Sequence, residues 1–188
     1  KEIKALIAHE QELLNTSVLN ALFNYNTDVV WVYKGEVIDI TSKAAFNKWL
    51  SVICDQVYCD TPVYINEMVN KHKPSSAIST ARVNFLAHLL DNGSDANLGF
   101  EDGKFPPEKT IYLTLLRNTG IHKRIGREYL LDAPTEESFL PLWKSCEAFL
   151  DSTKEKPRKL GELIKILRSR PFKLKQGVID LWLPAFLI

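Results

Sequence analysis

The stretch Lys104–His122, KFPPEKTIYLTLLRNTGIH, decides the fold. Pro107 suits the first position of a helix, where its missing N–H costs nothing, and Gly120 suits the left-handed residue just past a helix end. Between them Ile111, Tyr112, Leu113, Leu115 and Leu116 point to nearly every side of a helix. A helix that is apolar all round must be surrounded by other elements, so this one is expected at the centre of a core.

Upstream, Ile3, Leu6, Ile7, Glu10, Leu13 and Leu14 recur every three or four residues and predict an amphipathic helix over Glu2 to about Asn15, carried on through Val18, Leu19, Leu22 and Phe23. Asn24 to Asp28 breaks it. VVWVYKGEVIDI, residues 29–40, is the one convincing β stretch, two β-branched and aromatic runs around a Lys34-Gly35 turn. An isolated hairpin is marginal in water, so it should lie on helices or be extended by further strands. Ser42 is a good N-cap for a helix from Lys43 to about Tyr58 with Phe46, Trp49, Leu50, Ile53 and Val57 on one face. Thr61-Pro62 opens a predicted helix with Val63, Ile65, Met68 and Val69 as its apolar positions, ended by Lys71 to Pro74. Ser75 or Ser76 caps the next, striped by Ile78, Ala81, Phe85, Leu86, Leu89 and Leu90, and Asn92-Gly93 stops it. Asn92 to Gly103 is polar and glycine-bearing, and is the expected internal boundary.

Downstream, Ile121 to Leu131 carries His122, Lys123, Arg124 and Arg127. A helix capped by Thr135 follows, with Glu136 and Glu137 in its first turn and Phe139, Leu142, Trp143, Cys146, Phe149 and Leu150 as its buried face. Ser152 to Lys159 reads as a charged linker. Two last helices, Leu160–Arg168 and about Gln176 onward, are joined by SRPFKLK. The expectation is a mainly α protein with one small β-hairpin, divided into a helical part over 1–95 and a second helical part over 104–188.

The 188 residues are 45% hydrophobic and 25% charged, which excludes disorder, and a formal net charge of +1 excludes a strong overall field. Local clustering therefore matters more than the total. The opening residues KEIKALIAHEQELL carry acids and a His among their apolar positions and do not read as a signal peptide, and the apolar run Val178–Ile188 is too short to span a bilayer, so no membrane partner is expected. Three cysteines, Cys54, Cys59 and Cys146, have no companion Cys or His at zinc spacing and read as reduced, partly buried thiols, which favours the cytoplasm. The chain begins with Lys and stops inside LWLPAFLI, which leads us to expect that both ends are boundaries within a longer protein.

The strongest local signal is Lys154–Lys175: nine basic residues stand against two acids, Glu155 and Glu162. A helix, turn and helix can present cations along a phosphate backbone, although this turn is longer than in a compact helix-turn-helix. Lys159, Lys165, Arg168, Arg170, Lys173 and Lys175 are the candidate nucleic-acid contacts, and a merely solvated face is the plain alternative. Elsewhere His9, His72, His88 and His122 are scattered, and no Ser or Cys beside them makes a nucleophile motif. Glu67, Glu101, Asp102 and Glu108 have no spacing that brings them together, and Glu108 is explained by its place in a first helical turn. Gly99, Gly103, Gly120 and Gly126 do not form a phosphate-binding loop. No catalytic residue, metal ligand or cofactor site is expected.

Three blocks, YINEMVNKHKPSSAISTARVNFLAHLL (64–90), LGFEDGKFPPEKTIYLTLLRNTGIH (98–122) and RPFKLKQGVIDLWLPAFLI (170–188), resemble a region downstream of the nucleotide-binding core in very large bacterial P-loop ATPases of phage-defence systems of the BREX kind. The resemblance covers roughly residues 30–188 and rests on order and character, without a diagnostic signature. It implies a non-catalytic segment attached to a DNA-handling motor. The second half would be winged-helix-like, the wing's hairpin would follow Ile188, and Arg168, Arg170, Lys173 and Lys175 would be the foremost phosphate contacts. The alternative from another class is a protein-interaction or scaffolding module that docks other subunits or other parts of the parent chain. Exposed basic residues gathered together favour the first; an exposed apolar patch and cations paired with acids favour the second. An independent hydrolase would need a pocket of convergent polar groups that nothing in the sequence announces.

Overall fold

A computed structural model describes residues 2–23, 29–70 and 75–188. The break at Asn24–Asp28 and the stop signal at Lys71–Pro74, with His72, lie outside the described residues. The protein is mainly α, in the order α1 (Glu2–Phe23), β1 (Trp31–Tyr33), β2 (Glu36–Ile38), α2 (Lys43–Val57), α3 (Ser76–Asp91), α4 (Pro107–Tyr112), β3 (His122–Ile125), β4 (Glu128–Leu131), α5 (Leu140–Thr153), α6 (Leu160–Arg168) and α7 (Gln176–Leu187). It divides into two compact units, Lys1–Gln56 and Val57–Ile188.

The first unit has a thin core. The β1–β2 hairpin forms where the sequence places it, with Lys34 and Gly35 both at positive φ, the conformation a two-residue turn of the right twist demands. Ser42 caps α2 by accepting from the Ala45 N–H at 3.1 Å. Phe23 stacks on Trp31 at 5.8 Å between ring centroids, and Phe46 closes on Trp31 at 4.9 Å. Tyr33 lies 6.1 Å from Trp49 and donates its hydroxyl to Gln56. Ile40 is the one fully buried hydrophobic residue among those described in this unit. The apolar stripe of α1 is exposed along its length: Ile3, Leu6, Ile7, Leu13 and Leu14 all face solvent.

The second unit is built around the Lys104–His122 stretch, as expected. Pro107 opens α4, and a π-helical turn over Leu113–Arg117 extends it. Ile111, Tyr112, Leu115 and Leu116 are fully buried, surrounded by Ala81, Phe85 and Leu89 of α3, Leu142, Cys146 and Phe149 of α5, Leu163 and Leu167 of α6, and Val178 to Leu183 of α7. Gly120 is left-handed at φ +71°, and a Cβ there would lie 2.0 Å from the Thr135 hydroxyl oxygen, so both backbone and space require glycine. The apolar run at Val178–Ile188 is buried through Val178, Ile179, Leu181, Trp182, Leu183 and Ala185: Trp182 packs against Phe139, Trp143 and Phe186 and donates its indole N–H to Cys146 Sγ at 3.3 Å.

Four expectations need correction. The helix foreseen from Thr61-Pro62 is extended chain and turn over 61–70. Its polar groups bond across the fold instead of along a helix: Thr61 donates to the Phe172 carbonyl, Val63 N–H to Ser138, and Asn66 to Thr114. The boundary foreseen at 92–103 lies inside the second unit, because that loop's polarity is spent on internal bonds. Leu98 is fully buried, the Leu98 carbonyl meets His88 at 3.1 Å, and the Glu101 carbonyl accepts from buried Lys109 at 2.6 Å. Thr135 does not cap α5; its N–H donates to the Thr119 carbonyl at 2.9 Å and the helix begins later, at Leu140 with Pro141 in its first turn. Cys54 and Cys59 are exposed, leaving only Cys146 buried. A second hairpin, β3–β4, occupies 122–131 ahead of α5.

Candidate nucleic-acid interface

Helices α6 and α7 meet at a corner, residues 169–175, that carries the basic cluster. Helix α6 follows a strong 3.6-residue pattern: Leu163 and Leu167 are buried, Ile164 and Ile166 half-buried, and Lys165 and Arg168 are left on the outer side. Its start is stabilised by Glu162, which accepts from the Lys159 N–H at 3.1 Å and, through its other oxygen, from Arg158 at 2.9 Å. The Lys159 N–H first, then the Arg158 guanidinium, hold the Glu162 carboxyl below the usual range. The corner is closed by main-chain bonds, Lys173 N–H to the Ser169 carbonyl and Leu174 N–H to the Leu167 carbonyl, each 2.8 Å. Lys173 sits at φ +55°, a conformation that disfavours a side chain and is held here by its buried neighbours Phe172 and Leu174.

All six candidate cations are exposed. None of them forms an ion pair among the described residues; the pairs present are Arg82–Asp180, Lys104–Glu101, Lys123–Asp132, Lys154–Asp151 and Arg158–Glu162. Their polar contacts are with neutral groups. Arg168 donates to the Gln176 side-chain oxygen, and Lys175 Nζ to the Asn70 carbonyl at 2.8 Å. Lys165 and Arg170 flank one shallow groove of about 430 Å³, with Ser169 and the Arg158–Glu162 pair along it. Lys175 lies instead on the rim of a cleft of about 470 Å³ between α3, α4 and α7, whose walls are Val69, Ile78, Ile111 and Leu181. Arg168 is tied to the rim of this second cleft by a hydrogen-bonded row, Arg168 to Gln176 to Asp180 to Arg82. Lys159 is at the start of α6, apart from the corner.

Sequence reading missed the organising role of Gln176, and it counted Arg158 among the cations when that side chain is committed elsewhere. Arg158 is bound to Glu162 and Ser152 and stacks 4.3 Å from the Phe149 ring centroid. The i,i+4 spacing of Arg158 and Glu162 is the signal that could have revealed it. A second basic spot, on the β3–β4 turn, exposes Arg124 and Arg127, while Lys123 is paired with Asp132 at 2.9 Å.

His88 and His122 serve structure, whereas His9 is exposed on α1. His122 is buried; its Nε2 lies 2.9 Å from the Gly93 carbonyl, which only accepts, so Nε2 carries the proton and Nδ1 accepts from the Tyr112 hydroxyl at 3.0 Å. Desolvation lowers the His122 pKa and pushes that of Tyr112 up to about 12. Among the described residues no group of three or more His, Cys, Asp or Glu could hold a metal ion, and no helix is long and apolar enough to cross a membrane. No protein-family model, curated protein or solved structure matches the chain.

Proposed function

We propose that this chain is a non-catalytic module that binds DNA by its phosphate backbone through the α6–α7 corner. The single observation that carries the reading is that Lys165, Arg168, Arg170, Lys173 and Lys175 are all exposed within one short helix–turn–helix stretch, with Lys159 at the start of its first helix, and none of the six is neutralised by an acid among the described residues. Cations left free of carboxylates release counterions when they meet phosphates, the source of sequence-independent affinity. The rigid closure of the corner adds to this, because side chains mounted on fixed helices lose less freedom on binding. In this reading residues 104–188 act as a winged-helix-like part of a larger DNA-handling ATPase. That placement rests on the sequence resemblance.

The test is fluorescence anisotropy with labelled duplex DNA, comparing the chain with a variant in which Arg168, Arg170, Lys173 and Lys175 are all changed to Glu. Circular dichroism verifies that the variant is folded. Loss of binding in a folded variant supports the reading, and undiminished binding overturns it.

One observation favours a second reading, a protein-interaction module. The α1 stripe presents Ile3, Leu6, Ile7, Leu13 and Leu14 to solvent on a unit with hardly any core of its own. Covering the half to three quarters of each side chain that is still exposed gains about 1–2 kcal/mol. Leu6→Glu together with Leu13→Glu would then abolish association with a partner subunit while leaving DNA binding intact.

A further inference from the structure

Resting on the DNA-binding reading above, we infer that the ligand of the α6–α7 corner is double-stranded and is held without its bases being read. Proteins grip single strands largely by stacking bases on exposed aromatic rings, each stack contributing about 1–3 kcal/mol. Among its described residues the corner itself offers no such platform. Between Lys154 and Gln176 the only aromatic residue is Phe172, which is 4% exposed and turned into the core. Phe149, the ring beside Arg158, is buried and covered by that residue's guanidinium.

Base reading needs side chains that can offer a donor and an acceptor together, above all Asn and Gln, or a free Arg fork. Gln176 is the only amide side chain in this stretch, and both of its ends are in use: its oxygen accepts from Arg168 and its nitrogen donates to Asp180. Arg168 gives one of its N–H groups to that bond, which fixes the direction of its fork. Arg170 is the one arginine of the corner with no protein partner among the described residues, and it lies on the Lys165 groove, off the end of α6. Lysines supply the rest, and as point charges they fix position without specifying sequence. Among its described residues the corner therefore holds what a duplex backbone requires, has no exposed ring for single-strand capture, and offers a single free fork, Arg170, too few groups to spell out a sequence.

The experiment is competition anisotropy with the whole chain. A labelled duplex is displaced by the same duplex unlabelled, by a duplex of scrambled sequence, and by single-stranded oligothymidine of equal length. The two duplexes should compete equally, and the single strand at least about tenfold less well. Comparable or tighter binding of the single strand overturns the inference while leaving the DNA-binding reading in place. A tenfold preference for one duplex sequence over the other overturns it as well. If the labelled duplex is not bound even at low salt, the underlying reading falls and this inference falls with it.

Discussion

Gly120→Ala tests the reasoning that places the central helix. The added methyl meets two separate penalties. At φ +71° a residue with a Cβ costs about 1–2 kcal/mol, and a Cβ 2.0 Å from the Thr135 hydroxyl oxygen forces an overpacking shift of about 1–3 kcal/mol more. The sum, about 2–5 kcal/mol, is a large share of the roughly 5–15 kcal/mol that holds a domain together, and the thermal midpoint should fall by roughly 10 °C. The two penalties can be separated. Thr135→Ala removes the hydroxyl and the methyl, whose contacts would be 2.0 and 3.1 Å, but leaves a Cβ at 3.0 Å and the backbone conformation unchanged. Alone it should cost little, since its 3.4 Å hydroxyl bond to the Thr119 carbonyl is long and the 2.9 Å N–H bond to the same carbonyl remains. Chemical denaturation of the four members of the cycle should show Gly120→Ala costing at least about 1 kcal/mol less in the Thr135→Ala background. An alanine at 120 that costs nothing, or costs the same in both backgrounds, would refute the steric argument.

Other consequences follow from buried groups. His122 is lowered from its ordinary value of 6.5 by desolvation, so below that value the unfolded chain takes up a proton more readily than the folded one. Stability should therefore be full above about that pH and decline as pH falls from it toward the folded value; in His122→Gln this part of the urea-denaturation profile should be flat. The Cys146 thiol is pushed up to about 11 by burial, whereas Cys54 and Cys59 are exposed. Iodoacetamide at mildly alkaline pH should label those two thiols in the native protein and Cys146 only after denaturant is added, as read by mass spectrometry.

The central helix, its proline start and its glycine stop were legible because a single segment carries all three signals and they agree. The same holds for the Lys34-Gly35 turn, the Ser42 cap and the bounds of α6, while of the two serines offered as the cap of α3 the structure uses Ser75. What failed was reading whose answer lies across the fold. Thr61-Pro62 looks like a helix start, yet Thr61, Val63 and Asn66 each find partners about 50 to 110 residues away, and spacing along the chain says nothing about those. The polar loop at 92–103 looked like a boundary because its hydrogen-bonding groups were assumed to face water; His88, Lys109 and His122 take up several of them. At the basic cluster the sequence supplied the cations. It could not tell that Arg158 is committed to Glu162, that Arg168 leans on Gln176, or that Lys175 belongs to a different rim from Lys165 and Arg170.

The most direct test of the central claim is to map where DNA touches the chain, by following backbone amide resonances of the isotopically labelled protein during titration with a duplex. The account predicts that shifts concentrate between Lys159 and Gln176 and weaken as salt is raised, with log affinity against log salt falling by about 0.9 for each phosphate contact. Shifts centred on the Arg124 and Arg127 turn, on α1, or on no coherent surface would contradict it.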